Sequence, residues 1–88
     1  TLPAEDVNQI CTTIEQSIGV YYSYNQLRSR KSGSRRFVEF NLLVPGDTSV
    51  AAAHELCDQL EAAIERRLNK TSVTIHVEPL EKYRDNLA

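Results

Sequence analysis

Apolar residues recur at helical spacing near the start of the chain, where Val7, Ile10, Cys11, Ile14 and Ile18 fall on one face of a 3.6-residue repeat. Pro3 near its beginning, Glu5 and Asp6 in its first turn and Gly19 past its end suit the two helix termini, so the pattern predicts a helix over residues 3–18. The period then changes. Residues 20–30 are rich in tyrosine and read as a strand, Lys31, Ser32, Gly33 and Ser34 supply a turn, and residues 35–44 alternate with Val38, Phe40, Leu42 and Val44 on one side. An antiparallel hairpin is expected. Its second strand shows Phe37, Glu39, Asn41 and Leu43 on the other side, a mixture with two large apolar groups that suits contact with a second subunit.

Pro45, Gly46 and Asp47 interrupt the alternation, and Asp47, Thr48 or Ser49 can cap a second helix. Its apolar positions are Val50, Ala53, Leu56, Cys57, Leu60, Ile64 and Leu68, a span of about 20 residues or roughly 30 Å. After Asn69 and Lys70 comes a short strand over residues 73–79, closed by Pro79, which has no N–H to give to a ladder. Residues 81–88 are charged and show no clear period. The order is α-β-β-α-β. A long helix joining two strands leaves them parallel, so an α+β fold is expected with two helices on one face of a three-stranded mixed sheet.

Eighty-eight residues make one domain, residues 1–88, with a single core and roughly two thirds of its unfolded surface buried, a size at which a partner chain adds useful stability. The formal net charge of −2 gives no general attraction to nucleic acid or anionic lipid. No apolar run approaches the ~20 residues needed to span a bilayer, and the N-terminus shows no secretory signal. Cys11 and Cys57 sit apart within helical patterns, as suits two reduced thiols, and a cytosolic setting is expected. Asn69-Lys70-Thr71 matches a glycosylation sequon that reads as chance without a secretory signal. The absence of methionine leaves open a trimmed initiator or a piece of a longer polypeptide.

The most informative chemistry lies on the last strand. Val73, Ile75 and Val77 alternate toward a core, which puts Thr74, His76 and Glu78 together on the opposite face. His76 and Glu78 are then separated by roughly 6.6–6.8 Å of backbone, close enough for an imidazole and a carboxylate to converge on one divalent ion. His54, at the edge of the second helix's apolar stripe, is a candidate third ligand, whereas Cys57 falls within the stripe and reads as a core residue. Arg28, Arg30, Lys31, Arg35 and Arg36 bracket the hairpin turn near Tyr21, Tyr22 and Tyr24, and this supports a second reading: a metal-independent module that binds protein or RNA. There is no nucleophile turn, phosphate loop, H-E-x-x-H or paired C-x-x-C, so no enzymatic activity is expected.

Four blocks taken in order carry a resemblance: Leu27-Arg28-Ser29-Arg30-Lys31-Ser32-Gly33, Phe37-Val38-Glu39-Phe40, Ala53-His54-Glu55-Leu56-Cys57-Asp58 and Ile75-His76-Val77-Glu78-Pro79. Together they resemble the cytosolic C-terminal domain of cation diffusion facilitator transporters, with its H-D-L-R-x-R-x-S-G, F-V-x-x-H, A-H-x-x-A-D and I-H-x-E/D-P motifs. The resemblance implies a metallochaperone-like (ferredoxin-like) fold and a homodimer that binds divalent ions, commonly zinc, near the subunit interface. It also implies that metal binding draws the domains together and regulates a membrane transporter portion. His54, His76 and Glu78 coincide with family ligand positions. Asn25 and Asn41 stand where the family often has histidine, and amide oxygen is a weak zinc donor, so they are expected at most to complete a shell with water.

Overall fold

The computed structural model describes residues 2–85. Helix α1 (Ala4–Ile18) is followed by strands β1 (Ser23–Ser32) and β2 (Arg35–Val44), helix α2 (Val50–Arg67), strand β3 (Thr71–Pro79) and a short helix α3 (Leu80–Asp85). The sheet has the order β1-β2-β3, with β1 antiparallel and β3 parallel to the central β2. This is the expected mixed sheet of an α+β fold.

Local chemistry accounts for the element ends. The Ser49 hydroxyl accepts the Ala52 N–H at 3.0 Å and caps α2. Gly33, at φ +61°, opens the two-residue turn between the paired Ser32 and Arg35, a left-handed conformation that costs glycine little. The chain does not enter β1 at residue 20 as the tyrosine content suggests. Gly19 adopts φ +67°, the backbone turns, and Val20 and Tyr21 stay 93% and 79% exposed before β1 begins at Ser23.

Val38, Phe40, Leu42 and Val44 on one face of β2 meet Ile10, Ile14 and Ile18 of α1 and Leu60 and Ile64 of α2. Both helices therefore cover the same side of the sheet. Val50 and Val77, expected in the core, are instead 87% and 44% exposed, because they line an open groove between α2 and the edge strand β3. Leu43 also departs from expectation. It is only 5% exposed, although it lies outside the main cluster on the other side of β2, so it is already covered within one chain.

Of the tail 81–88, which shows no clear period in sequence, residues 81–85 belong to helix α3 (Leu80–Asp85), and residues 86–88 lie outside the described part. Glu81 ties this helix to the loop before α2, since both of its carboxylate oxygens accept the Gly46 N–H, at 3.0 and 3.1 Å. A Cβ at Gly46 would lie 3.1 Å from that carboxylate, so a larger residue there would push the Glu81 side chain aside by a few tenths of an ångström. No helix among the described residues is long and apolar enough to cross a membrane.

Candidate metal site

The face of the sheet opposite α1 and α2 carries the polar residues singled out by sequence. Strand alternation turns Glu39 and Asn41 of β2 away from the core, and the parallel register sets Asn41 opposite His76 and Leu43 opposite Glu78. On the other side Asn25 pairs with Asn41. Asn25, Asn41 and His76 thus form one row across three strands, with Glu78 one step further along β3. Four of the five candidate ligands share this face.

The row depends on an irregularity in β1. The register shifts between Asn25 and Arg28, with Gln26 in the left-handed region at φ +54°, so that both Asn25 and Arg28 point to the open face while Leu27 packs on the core. Asn41 donates from Nδ2 to Asn25 Oδ1 at 3.1 Å and to Gln26 Oε1 at 3.3 Å. Those two amide oxygens are engaged. His76, with its side chain 57% exposed, has Nε2 at 3.8 Å from Glu39 Oε2, and Arg28 Nη2 reaches the same oxygen at 2.5 Å. Glu78 is half-buried and lies 3.5 Å from Nζ of Lys82, the third residue of α3.

His54 is elsewhere. It projects from α2 into the groove beside β3, on the helix side of the sheet, where its Nε2 lies 3.6 Å from Asp58 Oδ2 with both side chains mostly exposed. Cys57 lines the same groove of about 530 Å³, against Val73 and Ile75. Burial pushes its thiol pKa upward, and the nearby Glu61 and Asp58 carboxylates add to the effect, so the thiol stays protonated and suits packing better than ligation. Among the described residues no three His, Cys, Asp or Glu side chains gather around one point.

The basic hairpin is largely occupied with the chain's own groups. Arg28 meets Glu39, Arg30 stacks over Phe37 at 4.1 Å, Arg35 donates to Ser72, and Arg36 pairs with Asp6 and with the Asn69 carbonyl. Tyr24 turns inward, edge-on to Phe40, and donates to Glu15 at 2.8 Å; burial chiefly raises its pKa, with Cys11 and Glu15 contributing. Sequence reasoning did not place Glu39 beside His76. Its parity with Asn41 was visible, but its closeness to His76 follows from the β2–β3 register, which alternation within one strand does not contain.

The family described as the cytoplasmic domain of cation efflux proteins matches residues 2–80. The chain is 35% identical over 78 residues to the cation-efflux pump FieF of Klebsiella pneumoniae, a match covering 89% of this chain and 26% of the pump. It therefore spans about a quarter of that relative's length. Among solved structures, one of the transporter CzrB superposes with a TM-score of 0.84 at 41% identity, covering 90% of this chain and 98% of that one. The metal-bound C-terminal domain of the CzcD transporter from Thermotoga maritima gives 0.78 at 32%, covering 86% and 88%. With that family matched over residues 2–80 and a relative 35% identical across 89% of its length, the chain belongs to the family of cytoplasmic domains of cation efflux proteins.

Proposed function

We propose that this chain is a homodimeric regulatory domain of a membrane cation transporter, and that it binds a divalent metal ion, zinc foremost, through His76, Glu78 and His54. The observation that carries this reading is the placement of His76 and Glu78 on the same sheet face, in and next to the row of the Asn25–Asn41 amide pair. Imidazole and carboxylate together suit zinc, and the amides offer weaker oxygen donors at the rim. A zinc form of CzrB and the metal-bound CzcD domain support metal binding. When bound, the ion supplies positive charge that neutralises carboxylates and can bridge donors on separate surfaces.

One chain leaves the donor set incomplete, since His54 stands on the helix side while His76 and Glu78 stand on the open side. We infer that a second copy supplies the missing donors and that the ion closes the two chains on one another. Closure goes only as far as the ion's affinity differs between open and closed arrangements. Sedimentation velocity with and without zinc chloride tests this. A dimer in both conditions that sediments faster with zinc is expected, with the zinc effect lost in a His54→Ala/His76→Ala variant. A monomer at high micromolar concentration in both conditions would overturn the reading.

A further inference from the structure

We propose that the hairpin end of the open sheet face is an anion site, which takes a phosphoryl group between Arg30 and Arg35 of the hairpin and the hydroxyls of Ser72 and Thr74 on β3. The inference goes beyond the metal-binding reading and does not depend on it. Register sets Arg28, Glu39 and Thr74 in one row across the three strands, and Arg30, Phe37 and Ser72 in the next, farther from the Asn25–Asn41–His76 row. A hollow of about 310 Å³ is lined by both rows. Arg35, two residues before Phe37 on the same face of β2, reaches the same place, its Nε donating to Ser72 Oγ at 2.9 Å.

Three guanidinium groups meet one carboxylate here. Arg28 and Glu39 neutralise each other at 2.5 Å. Arg30 and Arg35 have no carboxylate partner among the described residues, so two positive charges stay uncompensated. The contacts that these two do make fix their position without using up their donors. Arg30 lies over the Phe37 ring at 4.1 Å, and a stacked guanidinium keeps its N–H groups at its edge, pointing away from the ring. Arg35 gives only its Nε–H to Ser72, which leaves its terminal N–H groups for a ligand. Ser72 accepts in that bond, so its own O–H remains to donate, and the exposed Thr74 adds a second hydroxyl.

A ligand that matches this set is acceptor-only, with several oxygens and more than one negative charge. A phosphoryl group has three such oxygens and about −1.5 to −2 of charge at neutral pH, which balances two guanidiniums, whereas a carboxylate brings one charge and leaves one of them unmatched. The chain's formal net charge of −2 does not oppose this, because exposed charges beyond about 8–10 Å are screened by salt. Phe37 already carries Arg30, so the hollow recognises the phosphoryl group itself, whether it belongs to a soluble molecule or to a lipid headgroup.

NMR of the isotope-labelled chain, titrated with sodium pyrophosphate at constant ionic strength, tests this. Saturable shifts are expected at Arg30, Arg35, Ser72 and Thr74. Affinity should fall at least about fivefold in Arg30→Gln and in Arg35→Gln, and change less than about twofold in Arg66→Gln, which removes an equal charge from the exposed end of α2. Circular dichroism checks that each variant folds, as surface changes of this kind should permit. Flotation with phosphatidylglycerol–phosphatidylcholine vesicles separates the sources. Retention that Arg30→Gln abolishes assigns the phosphoryl group to a lipid headgroup, and the lack of such retention beside saturable pyrophosphate binding assigns it to a soluble molecule. Shifts that do not saturate, or an Arg66→Gln loss as large as that of the hairpin variants, would overturn the proposal whatever the vesicles do, since the attraction would then be diffuse charge.

Discussion

At the scale of single residues, the open face is a polar surface held in place by its own hydrogen bonds. Asn41 spends its amide N–H groups on Asn25 and Gln26, and Glu39 sits between Arg28 and His76. The two asparagines mark where the row is weakest as a metal site, because an amide oxygen competes poorly with imidazole for zinc. Replacing both by histidine, Asn25→His with Asn41→His, puts nitrogen donors in the row that ends at His76. A competition titration should then give a zinc dissociation constant about tenfold lower, equivalent to ~1.4 kcal/mol, or a second ion per chain. Unchanged affinity and stoichiometry in a folded double variant would mean that these positions do not reach the ion.

Much of this residue-level arrangement was legible in the sequence, because strand parity alone puts His76 with Glu78 and Asn41 with Glu39. Parity could not set one strand against another. Register across β2 and β3 brings His76 to Asn41 and Glu39, and the irregularity at Gln26 brings Arg28 to the same face. His54 shows the converse. Its helical position was readable, yet only packing reveals that α2 presents it to the groove on the other side of the sheet.

At the scale of elements, α1, the hairpin, α2 and β3 were readable because each repeats its apolar period long enough to register. Helix α3 was not, since six residues are under two turns and cannot show a 3.6-residue repeat. Its place is fixed instead by Pro79 ending β3 and by the Glu81 grip on Gly46. The start of α2 rests on Ser49, whose hydroxyl bond to Ala52 is its side-chain cap. Ser49→Ala should cost about 1 kcal/mol in urea unfolding, seen as a lower midpoint at unchanged slope. An unaltered midpoint would mean that water replaces the cap without loss.

At the scale of the whole molecule, one chain has a sound core and two incomplete features. Phe40, Leu42, Leu60 and Ile64 are fully enclosed, whereas the groove beside β3 stays open and the polar face gathers no three strong ligands among the described residues. A domain of this size gains more from a partner and a bound ion than a larger one does, because its own burial leaves a modest margin. Leu43 was the apolar residue best suited by sequence to meet that partner, but it is already covered, so a charge there would disturb the fold rather than report on assembly.

Thermal unfolding of the wild type and of His76→Ala, with and without zinc chloride, tests most directly whether this domain is built around a divalent ion. His76, Glu78 and a partner chain's donors are set in place only in folded chains, so binding must stabilise the native state. At about 100 times the dissociation constant the gain is ~2.7 kcal/mol, which for a domain of this length raises the midpoint by roughly 10–20 °C. The expected result is that rise in the wild type and little or none in His76→Ala. A wild-type midpoint that does not move up to millimolar zinc would contradict it.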